Sequence, residues 1–228
     1  MKHAGRARQA ALKLIFMTLA ALIVVLSVGL LAMFVAQAFH VVAVALIVLW
    51  VLFVGFTFYF FRDPEARVPA TADVVVSPSH GKVDIVDQMD EPRFMGGRCQ
   101  RISIFLSVID IHVQNAPVTG KLTLYHYTTG QFLSALKTES AEHNENLLMG
   151  IETTEGRATK IGVRLIAGVL ARRIVPFVKQ GDEFKRGERI SLIQFGSRTD
   201  VYLPLSAKIK IKLGDRVVGG ETVLATLE

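Results

Sequence analysis

The sequence predicts an N-terminal transmembrane helical hairpin followed by a β-rich α+β domain. Three observations predict it. No Asp, Glu, Lys or Arg occurs between residues 14 and 61. Beyond Arg62, short apolar runs alternate with Gly and Pro. Near the C-terminus, a pair of glycine turns occurs twice at one spacing.

The first 13 residues form a basic N-terminal segment carrying Lys2, Arg6, Arg8 and Lys13. The charge-free run at 14–61 follows. A bilayer core is crossed by about 20 helical residues, so this run suits two crossings rather than one. Gln37 and His40 are its most polar break, which places helices over 14–36 and 41–61 with a tight turn between them. Backbone amides in lipid must be paired internally, and helices do this. Ala36-Gln37-Ala38 has the small residues of a signal-peptide cleavage site, but its apolar core is too long and a second apolar segment follows at once. A core hairpin of a soluble protein is disfavoured by the missing charges. Arg62 and Arg67 follow the hairpin, so both flanks are basic. That pattern predicts both ends, and the domain beyond, on the cytoplasmic face of the cell membrane. Tyr59 suits an interfacial position, and Trp50 a lipid-facing or packed one.

The formal net charge is +6, and the N-terminal cluster supplies most of it. The basic balance therefore reflects anchoring, and no nucleic-acid partner is expected. Cys99 is the only cysteine, which excludes an intramolecular disulfide and a thiolate metal cluster within the chain.

Residues 62–228 are enough for one domain with its own core. Arg62-Asp63-Pro64 opens an extended linker that runs to Pro69. The runs 74–76, 82–86, 101–106, 121–127 and 190–195 read as strands by length and punctuation. The stretches 131–148 and 165–174 read as helices, the second stopping before Pro176. Gly181-Asp182 with Gly187-Glu188 recurs as Gly214-Asp215 with Gly220-Glu221, each followed by an apolar strand (190–193 and 223–225). Glycine suits tight turns with positive φ. The spacing resembles the hairpins of lipoyl- or biotinyl-type barrel-sandwich domains, although two ordinary hairpins would read the same way. Between the repeats stands Gly196-Ser197, where a carrier domain would present a lysine.

Proton transfer near neutral pH favours histidine. His112 stands two residues after Asp110; on a strand the two side chains share a face, and Asp110 would orient the imidazole. His126 and His143 lack partners at metal-ligand spacing and read as surface residues, and no metal site is expected. Asp182 and Asp215 read as turn formers. Arg172 and Arg173 suit either anionic headgroups or a solvated face.

The segment 192–204, with Phe195-Gly196-Ser197-Arg198-Thr199-Asp200 at its centre, closely resembles the self-cleavage site of short-type, pyruvoyl-dependent phosphatidylserine decarboxylases. The resemblance covers residues 62–228 in order. It includes Phe61-Arg62-Asp63-Pro64, Ser77-Pro78-Ser79-His80-Gly81-Lys82, the central stretch 105–120 around Asp110-Ile111-His112-Val113, Arg172-Arg173-Ile174-Val175, Gly187-Glu188-Arg189-Ile190 and Gly220-Glu221-Thr222-Val223. An apolar N-terminal hairpin is also usual in that family.

The resemblance implies a proenzyme. Ser197 Oγ attacks the Gly196 carbonyl, and the resulting ester undergoes β-elimination. The new N-terminus becomes a pyruvoyl group, the only cofactor. The products are a β chain, 1–196, and an α chain, 197–228. They stay together as a heterodimer, with assembly into a higher oligomer open. The pyruvoyl carbonyl from Ser197 forms a Schiff base with an aminophospholipid substrate, and CO2 leaves as phosphatidylserine becomes phosphatidylethanolamine. The resemblance also implies a role for His112 in these proton transfers; beside it the residues offer Asp110 to orient the ring, His80 as a base in its own right, and Ser107 as an extra hydrogen-bond donor. The chain departs from the family at His80, where Asp is usual, at Gln114-Asn115, where Asn-Arg is usual, and at Pro176, where Cys is frequent. The alternatives are a serine-headgroup ether lipid as substrate, a non-catalytic relative on the membrane, and a tethered adaptor.

Overall fold

A computed structural model describes residues 5–32, 38–130, 144–168, 173–194 and 197–227. The chain divides into two compact units, Gly5–Asp63 and Pro64–Glu228.

The first unit holds helices α1 (Arg6–Ala32) and α2 (Ala38–Phe60). Arg6–Leu30 and His40–Phe60 have mean hydropathy 2.5 and 2.8 and are long and apolar enough to cross a membrane. Helix α1 starts earlier than expected because Arg and Lys are good helix formers, so the basic residues join the helix. The expected turn near Gln37 lies outside the described residues. Hydroxyls in these helices donate to carbonyls one turn back: Ser27 to Ile23 at 2.8 Å and Thr57 to Phe53 at 2.8 Å. Trp50 is packed between the helices, where its Nε1 donates to Thr18 Oγ1 at 3.2 Å. Arg62 closes α2, with its guanidinium 4.1 Å above the Tyr59 ring and bonded to the Tyr59 carbonyl at 2.7 Å.

In the second unit, every regular element among the described residues is a strand. These are β1 (Val74–Val76), β2 (Gly81–Glu91), β3 (Gly97–Leu106), β4 (Val113–Asn115), β5 (Gly120–Thr128), β6 (Asn146–Thr153) and β7 (Lys160–Ala167). They continue as β8 (Arg173–Pro176), β9 (Glu183–Phe184), β10 (Arg189–Gln194), β11 (Ser197–Leu203), β12 (Lys208–Ile209), β13 (Arg216–Val217) and β14 (Val223–Thr226). The helix expected over 165–174 is therefore wrong. Residues 165–167 end β7 and residues 173–174 open β8, while 169–172 lie outside the described residues; a strand buried on both faces shows no alternation to separate it from a buried helix. Of the helix expected over 131–148, residues 131–143 lie outside the described residues and the rest runs into β6. The helical part of the α+β class reduces, among the described residues, to the N-terminal hairpin.

The strands form an eight-stranded antiparallel sheet, β13-β2-β3-β11-β7-β6-β5-β9, and two three-stranded sheets, β1-β14-β12 and β4-β10-β8. Ile102, Ile104 and Leu106 of β3, Leu147 and Met149 of β6, Val163 and Leu165 of β7, and Val201 and Leu203 of β11 share one buried cluster with Val75, Ile190, Ile193 and Leu224 of the small sheets. The core thus fills the space between the large sheet and the small ones. Burying each such aliphatic side chain favours folding by about 1.5–3 kcal/mol.

The glycine repeat is a duplication in space as well. Gly181 N donates to Leu122 O at 2.7 Å and Gly214 N to Val83 O at 2.8 Å; Leu122 N and Val83 N return bonds to Asp182 O and Asp215 O, each at 2.9 Å. Gly187 N meets Ala116 O at 2.8 Å, and Gly220 N meets Ser77 O at 2.7 Å. All four glycines have φ between +74° and +94°, which a Cβ would strain. Asp182 and Asp215 are turn formers, as expected, and accept the amides of Lys179 at 3.0 Å and Lys212 at 2.9 Å. Ser77-Pro78-Ser79-His80-Gly81-Lys82 therefore matches Ala116-Pro117-Val118-Thr119-Gly120-Lys121 position for position. The order of the large sheet is correspondingly palindromic, with β11 and β7 at its centre.

At Gly81 an added Cβ would stand 2.3 Å from the Phe105 carbonyl oxygen, a backbone atom that cannot swing aside. Gly81→Ala is expected to destabilise the domain by about 1–3 kcal/mol, read as a lowered thermal unfolding midpoint.

Candidate active site at the start of strand β11

Ser197 opens β11, lying across from Leu106 of β3 on one side and Ala167 of β7 on the other. By alternation it faces the core together with Thr199, Val201 and Leu203. Its side chain is fully buried, and its Oγ has no hydrogen-bond partner among the described residues. Leaving a buried hydroxyl unpaired costs about 1–3 kcal/mol, so an orphan of this kind calls for a reason such as chemistry. Farther along the same face, Thr199 Oγ1 meets Ser79 Oγ at 2.8 Å. Gly196, the other half of the expected cleavage pair, lies outside the described residues.

The strand facing Ser197 leads straight to His112. After Leu106 the chain makes the turn Ser107–Asp110, closed by Asp110 N to Ser107 O at 3.0 Å. Asp110 Oδ2 accepts Ser107 N at 2.9 Å and Ser107 Oγ at 2.7 Å. Asp110 Oδ1 accepts Arg216 Nη2 at 2.7 Å. His112 is fully buried, and its Nδ1 lies 2.8 Å from the Asp110 carbonyl oxygen. A carbonyl only accepts, so Nδ1 carries a proton and, in the neutral ring, Nε2 is the basic nitrogen. The His112 carbonyl accepts Ile193 N at 3.0 Å and Gln114 Nε2 at 2.8 Å, and Gln114 Oε1 accepts Ser191 Oγ at 2.7 Å. His112 is thus tied at one end to the strand opposite Ser197 and at the other to β10, which leads toward Ser197.

Asp110 does contact His112, but not in the way the strand spacing suggested. Residues 107–112 are a turn and an irregular stretch, so the two side chains share no strand face. The backbone carbonyl of Asp110 orients the ring, while its carboxylate holds the turn. Burial alone would raise that carboxyl, yet the bonds from Arg216 and Ser107 outweigh it and keep its pKa below the usual range. The pair therefore stays charged at neutral pH. Its contribution to stability is present above the ordinary carboxylate pKa and is lost only as pH falls through the lowered one.

His80 sits in the connection between β1 and β2. Its ring lies against Gly219, where an added Cβ would come within 3.0 Å of both His80 Cδ2 and Asn115 Oδ1. Asn115 Nδ2 donates to Gly187 O at 2.8 Å, so both Gln114 and Asn115 are parts of the backbone scaffold. His126 is on the surface, beside Arg93. His143 and Arg172 lie outside the described residues, and Arg173 is exposed on β8.

Several supporting side chains carry no recognisable sequence signal. Arg198, next to Ser197, pairs with Asp84 of β2, whose carboxyl is raised by burial and only partly brought back by the guanidinium. Buried Asn144 donates to Ala167 O at 2.7 Å, which fixes the end of β7 beside Ser197, and Glu145 Oε1 accepts Ile174 N of β8 at 3.1 Å. Arg216 lies 106 residues from Asp110 in sequence. Arg216 is largely exposed in this pair and Asp110 keeps its two bonds from Ser107 without it, so Arg216→Gln is expected to lower the unfolding midpoint only slightly. If it loosens the turn beneath His112, self-cleavage should slow about fivefold, the rate equivalent of roughly 1 kcal/mol, and Arg216→Lys should recover most of it. A time course of cleavage beside a melting curve checks this.

Residues 53–225 match the family model described as phosphatidylserine decarboxylase. The chain belongs to the phosphatidylserine decarboxylase family. It is similar to a phosphatidylserine decarboxylase proenzyme of Symbiobacterium thermophilum, 45% identical over 172 residues, 75% of this chain and 79% of that one. A proenzyme of the same name from Desulfotalea psychrophila is 41% identical over 179 residues, 78% of this chain and 83% of that one. One from Citrifermentans bemidjiense is 40% identical over 202 residues, 89% of each. The family match takes in the end of α2, the described strands β1 to β13 and all but the last residue of β14, and hence Ser197, His112, Asp110 and His80 together.

Proposed function

We propose that this chain is a membrane-anchored proenzyme that cuts itself between Gly196 and Ser197 and decarboxylates phosphatidylserine to phosphatidylethanolamine. Membership of the decarboxylase family supports the reaction. One observation of the fold carries the assignment of the nucleophile: a fully buried Ser197 hydroxyl without a partner among the described residues, at the start of a central strand.

In the self-cleavage, Ser197 Oγ attacks the carbonyl carbon of Gly196 and its proton passes to a base. His112 is the proposed base, because its Nδ1–H is held by a carbonyl, which makes Nε2 the basic nitrogen of the neutral ring. The carbon–nitrogen bond breaks, the Ser197 nitrogen takes up a proton, and an ester results. Loss of a proton from Cα of Ser197 then expels the Gly196 carboxylate and leaves a dehydroalanine, whose enamine tautomerises to an imine that water hydrolyses to the pyruvoyl group with release of ammonia. The products are the β chain 1–196 and the α chain 197–228, which remain one folded heterodimer because β11 stays paired with β3 and β7.

Ser197 is suited to be the source of a pyruvoyl cofactor, since its buried, unbonded hydroxyl is placed to attack and then to leave with the Gly196 carboxylate. When formed, it supplies a carbonyl that accepts the electrons left behind by CO2. The rest of the site excludes water and fixes the histidine. Asp110 acts through its carbonyl on His112 and through its carboxylate on Ser107 and Arg216. His80 is read as an auxiliary proton carrier, in place of the family's usual aspartate. The hairpin 14–61 anchors the enzyme in the cell membrane, and the basic flanks support a cytoplasmic domain over 62–228. The repeated glycine turns support barrel-sandwich hairpins as the building unit of that domain.

The test is release of CO2 from carboxyl-labelled phosphatidylserine by the purified, cleaved protein, with loss of activity on treatment with a carbonyl reagent. A cleaved protein that releases none would remove the decarboxylase reading. Equal turnover of the ether analogue would widen the substrate to serine-headgroup lipids in general.

A further inference from the structure

We propose that the edge of the large sheet at β13, together with the tip of the histidine turn, is a bilayer-contact surface that holds the active site at the depth of anionic phospholipid headgroups. This rests on the lipid-substrate reading above. Three apolar side chains stand out into solvent here: Ile109 at 60% exposure, Leu213 at 65% and Val218 at 39%. Ile109 is the tip of the turn that carries Asp110. The Arg216–Asp110 bond of 2.7 Å pins that turn against β13, and Leu213 and Val218 flank β13 on either side. The bond of Gly214 N to Val83 O at 2.8 Å fixes the Leu213 turn to the same edge.

Cations surround these side chains. Lys82 lies across from Arg216 in register and so shares its face, and Lys212 precedes Leu213; all three are exposed. The acids at this edge are engaged: Asp110 by Arg216 and Ser107, and Asp215 by the amide of Lys212. Arg216 and Asp110 cancel, so Lys82 and Lys212 against Asp215 leave the edge apolar at its tips with a small positive excess around them.

That pattern fits a bilayer better than a protein. Three separate tips do not make the continuous apolar area that a stable protein interface requires. Isolated aliphatic tips enter the headgroup region one at a time, while neighbouring Lys and Arg meet anionic lipid. His112 follows Ile109 by three residues and is buried behind the tip, so contact at the tip brings the bilayer surface to the turn that carries the site.

The sequence has a single tryptophan, Trp50, which makes a clean probe possible. The full chain carrying Trp50→Phe and Leu213→Trp is reconstituted into phosphatidylcholine–phosphatidylserine vesicles containing lipid brominated near the headgroup. Blue-shifted emission that the bromine quenches is expected. The quenching should weaken when phosphatidylserine is replaced by phosphatidylcholine or when salt is raised to 1 M, where screening shortens to about 3 Å. Leu213→Ser in the otherwise native chain should lower turnover of long-chain phosphatidylserine in vesicles by about fivefold or more. It should leave self-cleavage and turnover of monomeric short-chain phosphatidylserine unchanged. Unquenched, water-like emission from Leu213→Trp would overturn the proposal. A blue shift that follows protein concentration, independent of brominated lipid, would assign the edge to a second copy and also overturn it. If the native protein turns over neither lipid form, the substrate reading fails, and the quenching still decides the surface.

Discussion

Ser197→Ala is expected to stay a single 25.1 kDa chain under conditions where the native protein is fully split. The native products should be the 1–196 fragment and a 197–228 fragment of about 3.5 kDa, taking about 110 Da per residue. Intact mass under denaturing conditions reads both. The substitution removes one oxygen from a fully buried position with no partner there among the described residues, so it breaks no described hydrogen bond. The variant should therefore fold at least as stably as the precursor while losing cleavage and decarboxylation entirely. That combination is diagnostic, because a residue of merely structural importance would lower stability along with activity. An alanine variant that still splits at this bond would remove Ser197 as the nucleophile.

The second large effect is expected at His112. A positioned general base contributes about 10²- to 10⁴-fold, so His112→Gln should slow self-cleavage by at least about two orders of magnitude. Glutamine keeps a donor able to reach the Asp110 carbonyl but offers no basic nitrogen. It separates loss of proton transfer from loss of the turn. The main-chain bonds of residue 112 to Ile193 and Gln114 are untouched, so the unfolding midpoint should change little. In the native protein, cleavage should slow on acidification, since the protonated ring no longer accepts a proton. Cleavage of His112→Gln at the native rate would shift the role of base elsewhere, and His80 would be the next side chain to replace, as His80→Asp.

The sequence made the helical hairpin plain, because a long run without charge has few physical readings. It also revealed β2, β3, β5 and β10, whose apolar stretches are bounded by Gly or Pro. The central strands were hidden for two opposite reasons. β7 is buried on both faces, so its apolar run resembles a helix. β11 carries Arg198, Thr199 and Asp200 in full burial, which no local pattern permits; Arg198 is tolerated because Asp84 arrives from another strand. At the site, Ser197, Gly196 and His112 came from resemblance, and the contact between Asp110 and His112 came from their spacing. The chemistry of that contact did not, since whether a carboxylate or a carbonyl faces the ring depends on a turn. Arg216 and the Gln114–Ser191 bond were out of reach, because only the tertiary fold brings them to the histidine.

Strand β11 lies in the middle of the large sheet, between one neighbour from each half of the duplication. Under the proposed cut before Ser197, the middle strand of the sheet would belong to a short separate peptide. An intact precursor would refold as one molecule, at a rate independent of concentration. A cleaved form, once unfolded, would regain its sheet only when two different chains meet. The proposed maturation would thus turn a one-chain fold into one whose lifetime is set by how slowly it opens, and proofreading of the fold would have to be finished before the bond is broken.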